Sequence, residues 1–295
     1  MLWPLTIIRA MPLIHPTAAI SPGAVIGRDT AIGPFSVIED NVQIGDGCQI
    51  ASHVVIKSGT KLGPNNRIAE RVVLGGLPQH VHAPDHPGQL VIAENNVIRE
   101  CVTIHRALKS TDVTLIGAHN LIMVGTHIGH DCRISDHTIM VNSVMLAGHV
   151  EVHDHAYLSG AVAIHQFCRV GSYAMVGGMA RVRHDVPPCI TVDGETTKAV
   201  GLNLVGLRRH GFNRQEISRL KEAYRTLYCR GLTWNEICDN LHLQCTSDSV
   251  TQFLEFLVSS NRGIIGQRRS ANPTTLKLHS TNPSDEKISS GRMAS

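Results

Sequence analysis

The chain is organised by a hydrophobic position that recurs every sixth residue. An aliphatic side chain occupies it without interruption from Ile14 to Leu74, and the period resumes between Ile92 and Ile104. A third run extends from Ile116 to Val182, and Met140 is the one position in it that is not aliphatic. All three runs share one phase, so the stretches at about 75–91 and 105–115 are predicted to be loops that protrude from a continuous repeat.

Each hexad also carries a small residue four positions after the aliphatic one, as at Ser36, Cys48 and Cys132. Glycine often follows the aliphatic residue directly, as at Gly27 and Gly33. We interpret the unit as a large inward residue, a small inward residue and a glycine that permits the turn, which together make one short strand and one corner. Three hexads then close a coil, and stacked coils about 4.8 Å apart form a parallel β-helix.

A helical period replaces the hexad from about residue 201. The segments beginning at Asn213 and Thr233 have the spacing of capping boxes, with glutamate three residues later, and a further helix is predicted near Ser249. Ser, Asn, Thr, Pro and charged residues dominate the C-terminal end, which is typical of disorder. The predicted division is a β-helix over 13–200, a helical region over 201–265 and a disordered tail over 266–295.

Composition excludes several classes of protein. The net charge of +3 over 295 residues provides no strong field for nucleic acid, and no segment approaches the roughly 18 apolar residues of a membrane span. The eight cysteines form no CxxC pair, which favours a reducing, cytoplasmic compartment. The segment before Met11 is too short and too weakly basic to indicate a signal peptide, and Met11 is an alternative start.

The 18 histidines include a group whose spacing follows the coils. His127 and His130 lie in THIGHDC, and His149 and His165 follow at about one coil each; none occupies an inward position. Because residues 18 apart stack, we expect His130, His149 and His165 to form one strip on the outer wall. Two other readings stay open: surface histidines without a role, as we expect for His137, His153 and His155, and a zinc site built from three imidazoles.

Several segments resemble the UDP-N-acetylglucosamine acyltransferases, which begin lipid A synthesis. The resemblance covers about residues 13–265 and is carried by IHPTA (14–18), TIHR (103–106), HIGHDC (127–132), LAGHV (146–150), AIHQFCRVGSYAMVGG (163–178), DVPP (185–188) and GLNLVGLRRHGF (201–212). It implies the left-handed form of the β-helix, a homotrimer, and transfer of a 3-hydroxyacyl chain from acyl carrier protein to the 3-hydroxyl of UDP-N-acetylglucosamine. It implies neither a cofactor nor a metal.

By this resemblance His130 is the general base, and an imidazole suits that role because its protonation equilibrium lies close to neutral pH. Gly148 is the match for the backbone N–H donor to the oxyanion. Asp131 is expected to orient His130, provided that the chain turns a corner there. The positions that match substrate-binding residues are Gln79, His80, His82, His105, His127, His149, His165, Gln166, Gly178, Asn203 and Arg209. Among these, Gly178 matches the floor of the acyl channel, and Asn203 and Arg209 match residues that hold the nucleotide.

The chain departs from the family pattern at the acceptor site. The family has Gln-Asp-x-Lys in the first loop, whereas this chain has Gln79, His80, Val81 and His82, and Val205 replaces an acidic residue. We therefore keep three alternatives: a related sugar-nucleotide acyltransferase with a different acceptor, a zinc enzyme resembling the gamma-class carbonic anhydrases, and a non-catalytic scaffold. Basic residues of the helical region, such as Arg208, are candidates for binding the acidic carrier protein.

Overall fold

The computed structural model describes residues 13–245 and 247–268, and almost every hexad in it forms a short strand followed by a turn. The first nine strands are β1 (Ala19–Ile20), β2 (Val25–Ile26), β3 (Ala31–Ile32), β4 (Val37–Ile38), β5 (Gln43–Ile44), β6 (Gln49–Ile50), β7 (Val55–Ile56), β8 (Thr60–Leu62) and β9 (Arg67–Ile68). The next five are β10 (Val73–Gly76), β11 (Gln89–Ile92), β12 (Val97–Ile98), β13 (Thr103–His105) and β14 (Val113–Ile116).

The remaining strands complete the coil. They are β15 (Leu121–Ile122), β16 (His127–Ile128), β17 (Arg133–Ile134), β18 (Ile139–Met140), β19 (Met145–Leu146), β20 (Glu151–Val152), β21 (Tyr157–Leu158), β22 (Ala163–Ile164), β23 (Arg169–Val170), β24 (Met175–Val176), β25 (Arg181–Val182), β26 (Ile190–Val192) and β27 (Ala199–Leu202).

The strands form three sheets, which are the three walls of a prism. Wall 1 has nine strands in the order β1-β4-β7-β10-β13-β16-β19-β22-β25, and wall 2 has eight in the order β2-β5-β8-β11-β14-β17-β20-β23. Wall 3 has ten, in the order β3-β6-β9-β12-β15-β18-β21-β24-β26-β27. Every strand through β26 pairs in parallel with the strand one coil away, and only β27 is antiparallel to its neighbour. The predicted parallel β-helix is therefore confirmed.

The interior contains the two residues that each hexad directs inward. Ile38, Ile104 and Ile128, from the aliphatic position, have no exposed surface, and neither have Cys132 and Cys168 from the small position. This confirms that these cysteines act as compact hydrophobic residues. Burial raises the pKa of the Cys132 thiol to about 12, so the nucleophilic thiolate is not available at neutral pH.

Polar residues in the small inward position are satisfied by the neighbouring coil. The Thr30 hydroxyl accepts a hydrogen bond from the Cys48 backbone N–H (3.2 Å), and the Ser36 hydroxyl accepts one from Val54 (3.1 Å). The side-chain oxygen of Asn96 does the same for the N–H of Asn120 (2.8 Å). These bonds offset the cost of burying the polar groups and fix the vertical spacing of the coils.

The glycine after the aliphatic residue has a different role from the one predicted. Positive φ occurs instead at the third residue after the aliphatic, for example at Asp131 (61°) and His149 (60°). A Cβ added at Gly33 would lie only 2.7 Å from the carbonyl carbon of Ala51 in the next coil. Our interpretation of these glycines as turn-permissive residues was therefore wrong: they are required because two coils approach closely.

Two segments leave the coil, 77–88 between β10 and β11 and 106–112 between β13 and β14. They change the stacking distance along the sequence. Val73 pairs with Thr103 on wall 1, and Thr103 pairs with His127, so these neighbours are 30 and 24 residues apart rather than 18. A residue next to such a segment therefore does not have its stacking neighbour 18 positions away in the sequence.

Four helices follow the coil: α1 (Leu204–Arg209), α2 (Arg214–Tyr228), α3 (Trp234–Gln244) and α4 (Asp248–Val258). The two predicted capping boxes, at Asn213 and Thr233, are confirmed, as is the helix near Ser249. The short helix α1 lies within the region predicted to be helical, although the sequence analysis did not identify it as a separate helix. Within the described residues, no helix has both the length and the apolar character that crossing a membrane requires.

One buried ion pair attaches α4 to the coil. Arg169 on β23 donates from Nε to the Oδ2 of Asp185 (3.0 Å) and from Nη2 to the carbonyl oxygen of Phe256 on α4 (2.9 Å). Its guanidinium also lies 4.4 Å from the centre of the Phe256 ring. After α4 the chain returns to β27, where Arg268 donates its N–H to Ala199. Residues 269–295, most of the tail predicted to be disordered, lie outside the described residues.

We predict that Gly33→Ala destabilises the coil by about 1–3 kcal/mol, because the new methyl group has rigid backbone rather than a flexible side chain to displace. The measurement is urea unfolding followed by circular dichroism. Gly160→Ala is the matched control, since its Cβ would meet no atom closer than 3.6 Å. Equal unfolding midpoints for the two variants would contradict the close-approach explanation.

Candidate active site

The edge where wall 1 meets wall 2 carries the central polar residues, and we call it the dyad edge. His130 and Asp131 follow β16 directly, and the Nδ1 of His130 lies 2.7 Å from the Oδ2 of Asp131. Asp131 has left-handed backbone (φ 61°), so the chain turns at this point and its carboxylate meets the ring of the preceding residue. The corner that the sequence analysis required for this contact is present.

Asp131 is held by the second protruding segment. Its Oδ2 accepts a hydrogen bond from the backbone N–H of Leu108 (3.0 Å), and its own N–H donates to the Thr114 hydroxyl (2.8 Å). An ionised carboxylate only accepts hydrogen bonds, so the network assigns the His130 proton to Nδ1 and leaves a lone pair on Nε2. Only 11 % of the His130 side chain and 8 % of the Asp131 side chain are exposed, which protects this bond from water.

Gly148 lies directly beside the His130 ring in the next coil. A Cβ on Gly148 would be 2.7 Å from Nε2 of His130, so only glycine leaves room for the imidazole. Among the described residues, the backbone N–H of Gly148 has no hydrogen-bond partner. The edge thus places a free imidazole nitrogen next to an unused backbone donor.

Further rings surround His130. The centroid of His149 lies 5.1 Å away, and the His149 ring stacks on Phe167 at 4.5 Å. His80, from the first protruding segment, lies 5.8 Å from His130 with its ring edge-on, and His82 lies 6.0 Å from His80. The two histidines that replace the family's aspartate and lysine are therefore brought to the dyad edge, while Gln79 is exposed at the start of that segment.

A second imidazole pair lies on wall 1. The rings of His105 and His127 are 5.0 Å apart; Nδ1 of His127 contacts the hydroxyl of Thr103 (2.9 Å), and Nδ1 of His105 contacts the carbonyl of Leu77 (2.5 Å). Burial lowers the pKa of His105 and of His127. Sequence reasoning missed Thr103 because the segment 106–112 changes its distance from His127 to 24 residues.

His165 and Gln166 are exposed on the coil after Gly148. The Nη2 of Arg262, which follows α4, lies 3.2 Å from Nδ1 of His165. No pattern in the sequence indicated this contact, because it joins residues 97 apart. An open cavity of about 520 Å³ adjoins this position and is lined in part by His149, Phe167 and Arg262.

Three predicted substrate residues lie on other parts of the prism. The side-chain amide of Asn203 donates to the carbonyl of Tyr173, at the edge between walls 2 and 3 (2.9 Å). Arg209 is exposed at the end of α1, and Gly178 is exposed at the edge between walls 3 and 1. A single chain therefore does not bring Asn203 or Gly178 to His130.

One group of side chains has the geometry to bind a metal. Ligand atoms of His130, Asp131 and His149 all lie within 4.8 Å of one another, and two imidazoles with one carboxylate suit zinc. The same atoms already form the His130–Asp131 hydrogen bond, so metal binding and the hydrogen-bonded dyad are alternative uses of the group.

The three-walled coil of hexads places the chain in the class of hexapeptide-repeat proteins, and the family model described as bacterial transferase hexapeptide (six repeats) matches residues 41–76. The family model for UDP-N-acetylglucosamine O-acyltransferases, domain 2, matches residues 185–265. Because curated relatives that are 44 % and 47 % identical match over their entire length, the chain belongs to the family of acyl-[acyl-carrier-protein]–UDP-N-acetylglucosamine O-acyltransferases.

The relatives match the chain over most of its length. The enzyme of Halorhodospira halophila is 44 % identical over 257 residues, covering 86 % of this chain and all of the relative, and that of Burkholderia orbicola is 47 % identical over 261 residues with the same coverage. The crystal structure of a UDP-N-acetylglucosamine acyltransferase from Francisella novicida superposes with a TM-score of 0.84 at 38 % identity, covering 87 % of this chain and 95 % of that one. The left-handed form of the β-helix is thereby confirmed.

We predict that acid destabilises the fold through three partly buried imidazoles. Burial lowers the pKa of His105, His127 and His149 below the ordinary value of 6.5. The unfolded chain therefore binds more protons than the folded chain as the pH falls towards and below 6.5, so this contribution to the free energy of unfolding is complete above 6.5 and is lost on acidification. Urea midpoints at pH 7.5 and 5.5 measure the loss.

The variant His127→Asn is expected to reduce the difference between the two midpoints, since it removes one partly buried group whose pKa is lowered. His53→Asn is the matched control, because His53 lies on another edge, against Phe35. An unchanged difference in His127→Asn, or a higher midpoint at pH 5.5 in the unmodified protein, would refute this assignment.

Proposed function

We propose that this chain transfers an acyl group from acyl carrier protein to the 3-hydroxyl of UDP-N-acetylglucosamine, the first step of lipid A synthesis. Membership of the family supports the reaction. The observation that carries the mechanism is the 2.7 Å contact between Nδ1 of His130 and the Asp131 carboxylate, which leaves Nε2 free beside Gly148. The proposed setting is the cytoplasm, and the chemistry requires no cofactor.

His130 acts as the general base. Nε2 accepts the proton of the sugar's 3-hydroxyl while the oxygen attacks the thioester carbonyl, and the C–O bond forms as the carbonyl π bond opens to an oxyanion. The Asp131 carboxylate, which accepts the hydrogen bond from Nδ1, stabilises the imidazolium that results. The hydrogen bonds from Leu108 and to Thr114 keep this carboxylate in place.

The tetrahedral intermediate then collapses. The backbone N–H of Gly148, which has no partner among the described residues, donates to the oxyanion. As the carbonyl re-forms, the C–S bond breaks and the carrier protein's thiolate takes the proton from Nε2, which returns His130 to its neutral form. One proton moves from hydroxyl to thiol, so the cycle needs no other reactant.

The remaining predicted residues are assigned to substrate binding. On the dyad edge and wall 1 these are Gln79, His80, His82, His105, His127, His149, His165 and Gln166. Asn203 and Arg209 are assigned to the nucleotide, because arginine binds phosphate through two parallel donors. Gly178 is assigned to the end of the acyl channel, where the absence of a side chain accommodates a long 3-hydroxyacyl chain.

The active protein is proposed to be a homotrimer whose sites lie between chains. The prism alone leaves Asn203 and Gly178 on edges other than that of His130, so a complete site requires a neighbouring copy. Exposed apolar side chains on the walls, such as Met145 on wall 1 and Tyr157 on wall 3, give a neighbouring copy a surface to pack against.

A related acceptor sugar is the second candidate. The observation that favours it is the position of His80 beside His130, because an imidazole replaces the family's acidic residue where the acceptor would bind. Comparing UDP-N-acetylglucosamine with UDP-linked amino-sugar analogues as acceptors distinguishes the two. Stoichiometric zinc in purified protein would instead support the zinc enzyme, and failure to bind both acyl carrier protein and UDP-sugars would support a scaffold.

We predict that His130→Ala lowers turnover by about 10²–10⁴-fold, the usual contribution of a general base. The assay is mass-spectrometric detection of acylated UDP-sugar with several acyl carrier protein thioesters. Asp131→Asn should lower kcat less, because the base remains but loses its oriented proton and its charge partner. Full turnover in His130→Ala would remove the proposed base.

We predict that two inactive variants complement each other in mixed trimers. In a random mixture of His130→Ala and Arg209→Ala chains, about a quarter of intersubunit sites combine an intact His130 with an intact Arg209. Each variant alone should have little activity, and co-refolding or co-expression should restore a substantial fraction. Sedimentation of the unmodified protein should give about 96 kDa, three times 32.0 kDa. No recovery in mixed trimers would argue that one chain supplies both residues.

A further inference from the structure

The edge between walls 2 and 3 carries a stack of rings that the proposed reaction does not use. His119, His137, His155 and Tyr173 occupy the left-handed corner position of four successive coils. Their centroids are 4.8, 4.9 and 4.8 Å apart, and the angles between neighbouring planes are 5°, 5° and 11°. We call these four residues the aromatic column. Its spacing equals the distance between coils, so the backbone ladder itself holds the rings face to face.

The aromatic column fixes α1 at both ends. Before the helix, the Asn203 amide donates to the carbonyl of Tyr173 (2.9 Å). After the helix, the His210 ring lies 4.5 Å from His155 and 5.3 Å from Tyr173, and Phe212 lies edge-on to Tyr173 at 5.0 Å. A helix of six residues has little stability of its own, so these contacts, together with the burial of Leu207, determine where it lies.

Asn203 and Arg209 lie at the two ends of α1. Asn203 is the residue before the helix, and Arg209 is its last residue, next to His210. We propose that the aromatic column is a positioning element for these two nucleotide-binding residues, and that protonation of its imidazoles weakens their hold on the acceptor. This inference rests on the proposed function.

The surroundings of His155 give the column its sensitivity to acid. Nδ1 of His155 is buried without a hydrogen-bond partner among the described residues. Burial lowers the pKa of His155, and the nearby His210 and His137 lower it further, whereas Asp154 and Asp136 act in the opposite direction.

The phenol of Tyr173 adds no charge to the column. Burial raises the pKa of Tyr173, as do the nearby Cys189 and Asp154, so its phenol stays neutral through the physiological range. His119 continues the stack at the other end. A proton on His155 places a positive charge on a ring whose centroid lies less than 5 Å from those of His137 and His210; the electrostatic effect of these neighbours opposes that charge, so protonation of His155 acts against the stacking.

The first test removes the stacking. His155→Ala is expected to raise the KM for the nucleotide sugar by about tenfold while kcat at saturation and the KM for the acyl donor stay within about twofold, since only the acceptor's binding residues are displaced. His53→Ala is the matched control, because it removes a ring stacked on Phe35 at a different edge. An unchanged acceptor KM, or an equal loss in kcat, would overturn the proposal.

The second test separates stacking from charge. His155→Phe retains an aromatic ring but cannot be protonated, so its acceptor KM at pH 8 should stay within about twofold of the unmodified protein's. Between pH 8 and about pH 5, a range that extends below the ordinary imidazole pKa, its KM should rise less than that of the unmodified protein. The same rise in both proteins would exclude the column as the source of the pH dependence.

Hydrogen exchange distinguishes failure of this inference from failure of the proposed function. In full-length protein without substrate, His155→Ala should accelerate exchange at amides of residues 203–212 while those of β16 and β19 remain protected. If the unmodified protein does not acylate UDP-N-acetylglucosamine but exchange accelerates as expected, the acceptor is wrong and the positioning role stands. Unchanged exchange in 203–212 would refute the positioning role, whatever the substrate.

Discussion

The stacking of one coil on the next is the constraint on which the whole structure depends. Backbone N–H groups donate to carbonyls in the next coil, as from His127 to Val144 and from Met145 to Val162, at 2.8 Å in both cases. The inward aliphatic column prevents slippage, because a shift by one residue would expose every large side chain. The outward side chains therefore have fixed neighbours on the coils above and below. The register of the coils determines which of these side chains come into contact.

The register alone does not bring His130 and Asp131 together; the corner does. In a strand, adjacent side chains point to opposite faces, and His130 and Asp131 would be unable to meet. The left-handed residue at each corner reverses this rule, so an imidazole and the next residue's carboxylate form a hydrogen bond. The same corner position carries the rings of the aromatic column one edge away. The His130–Asp131 contact and the aromatic column thus both depend on the left-handed corner residue, which recurs along different edges of the coil.

The period of six was sufficient to predict the fold, the inward cysteines and the outward histidines, because burial imposes it on every hexad. The role predicted for Gly33 was wrong. The sequence shows that this residue is small, but it does not show whether glycine is needed to leave room for the next coil or to adopt a positive φ. His137 and His155 were expected to be ordinary surface residues, because each is unremarkable until its partner one coil away is considered. Thr103, Leu108 and Arg262 were missed because loops and a separate helical region bring them to the site. The domain boundaries and the residue roles remain predictions.

The two protruding segments explain how a regular coil acquires an irregular site. Each adds residues at a corner without changing the phase of the coil, so the core is undisturbed and the added length is free to cover the dyad edge. One contributes His80 above His130, and the other contributes the Leu108 N–H that holds Asp131. The first of these contacts involves a side chain and the second a backbone group, so substitution of His80 removes its contact, whereas a side-chain substitution at Leu108 retains the N–H donor. The departures at His80 and His82 fall in the first segment, which is where a change of acceptor can occur without loss of the acyl-transfer chemistry.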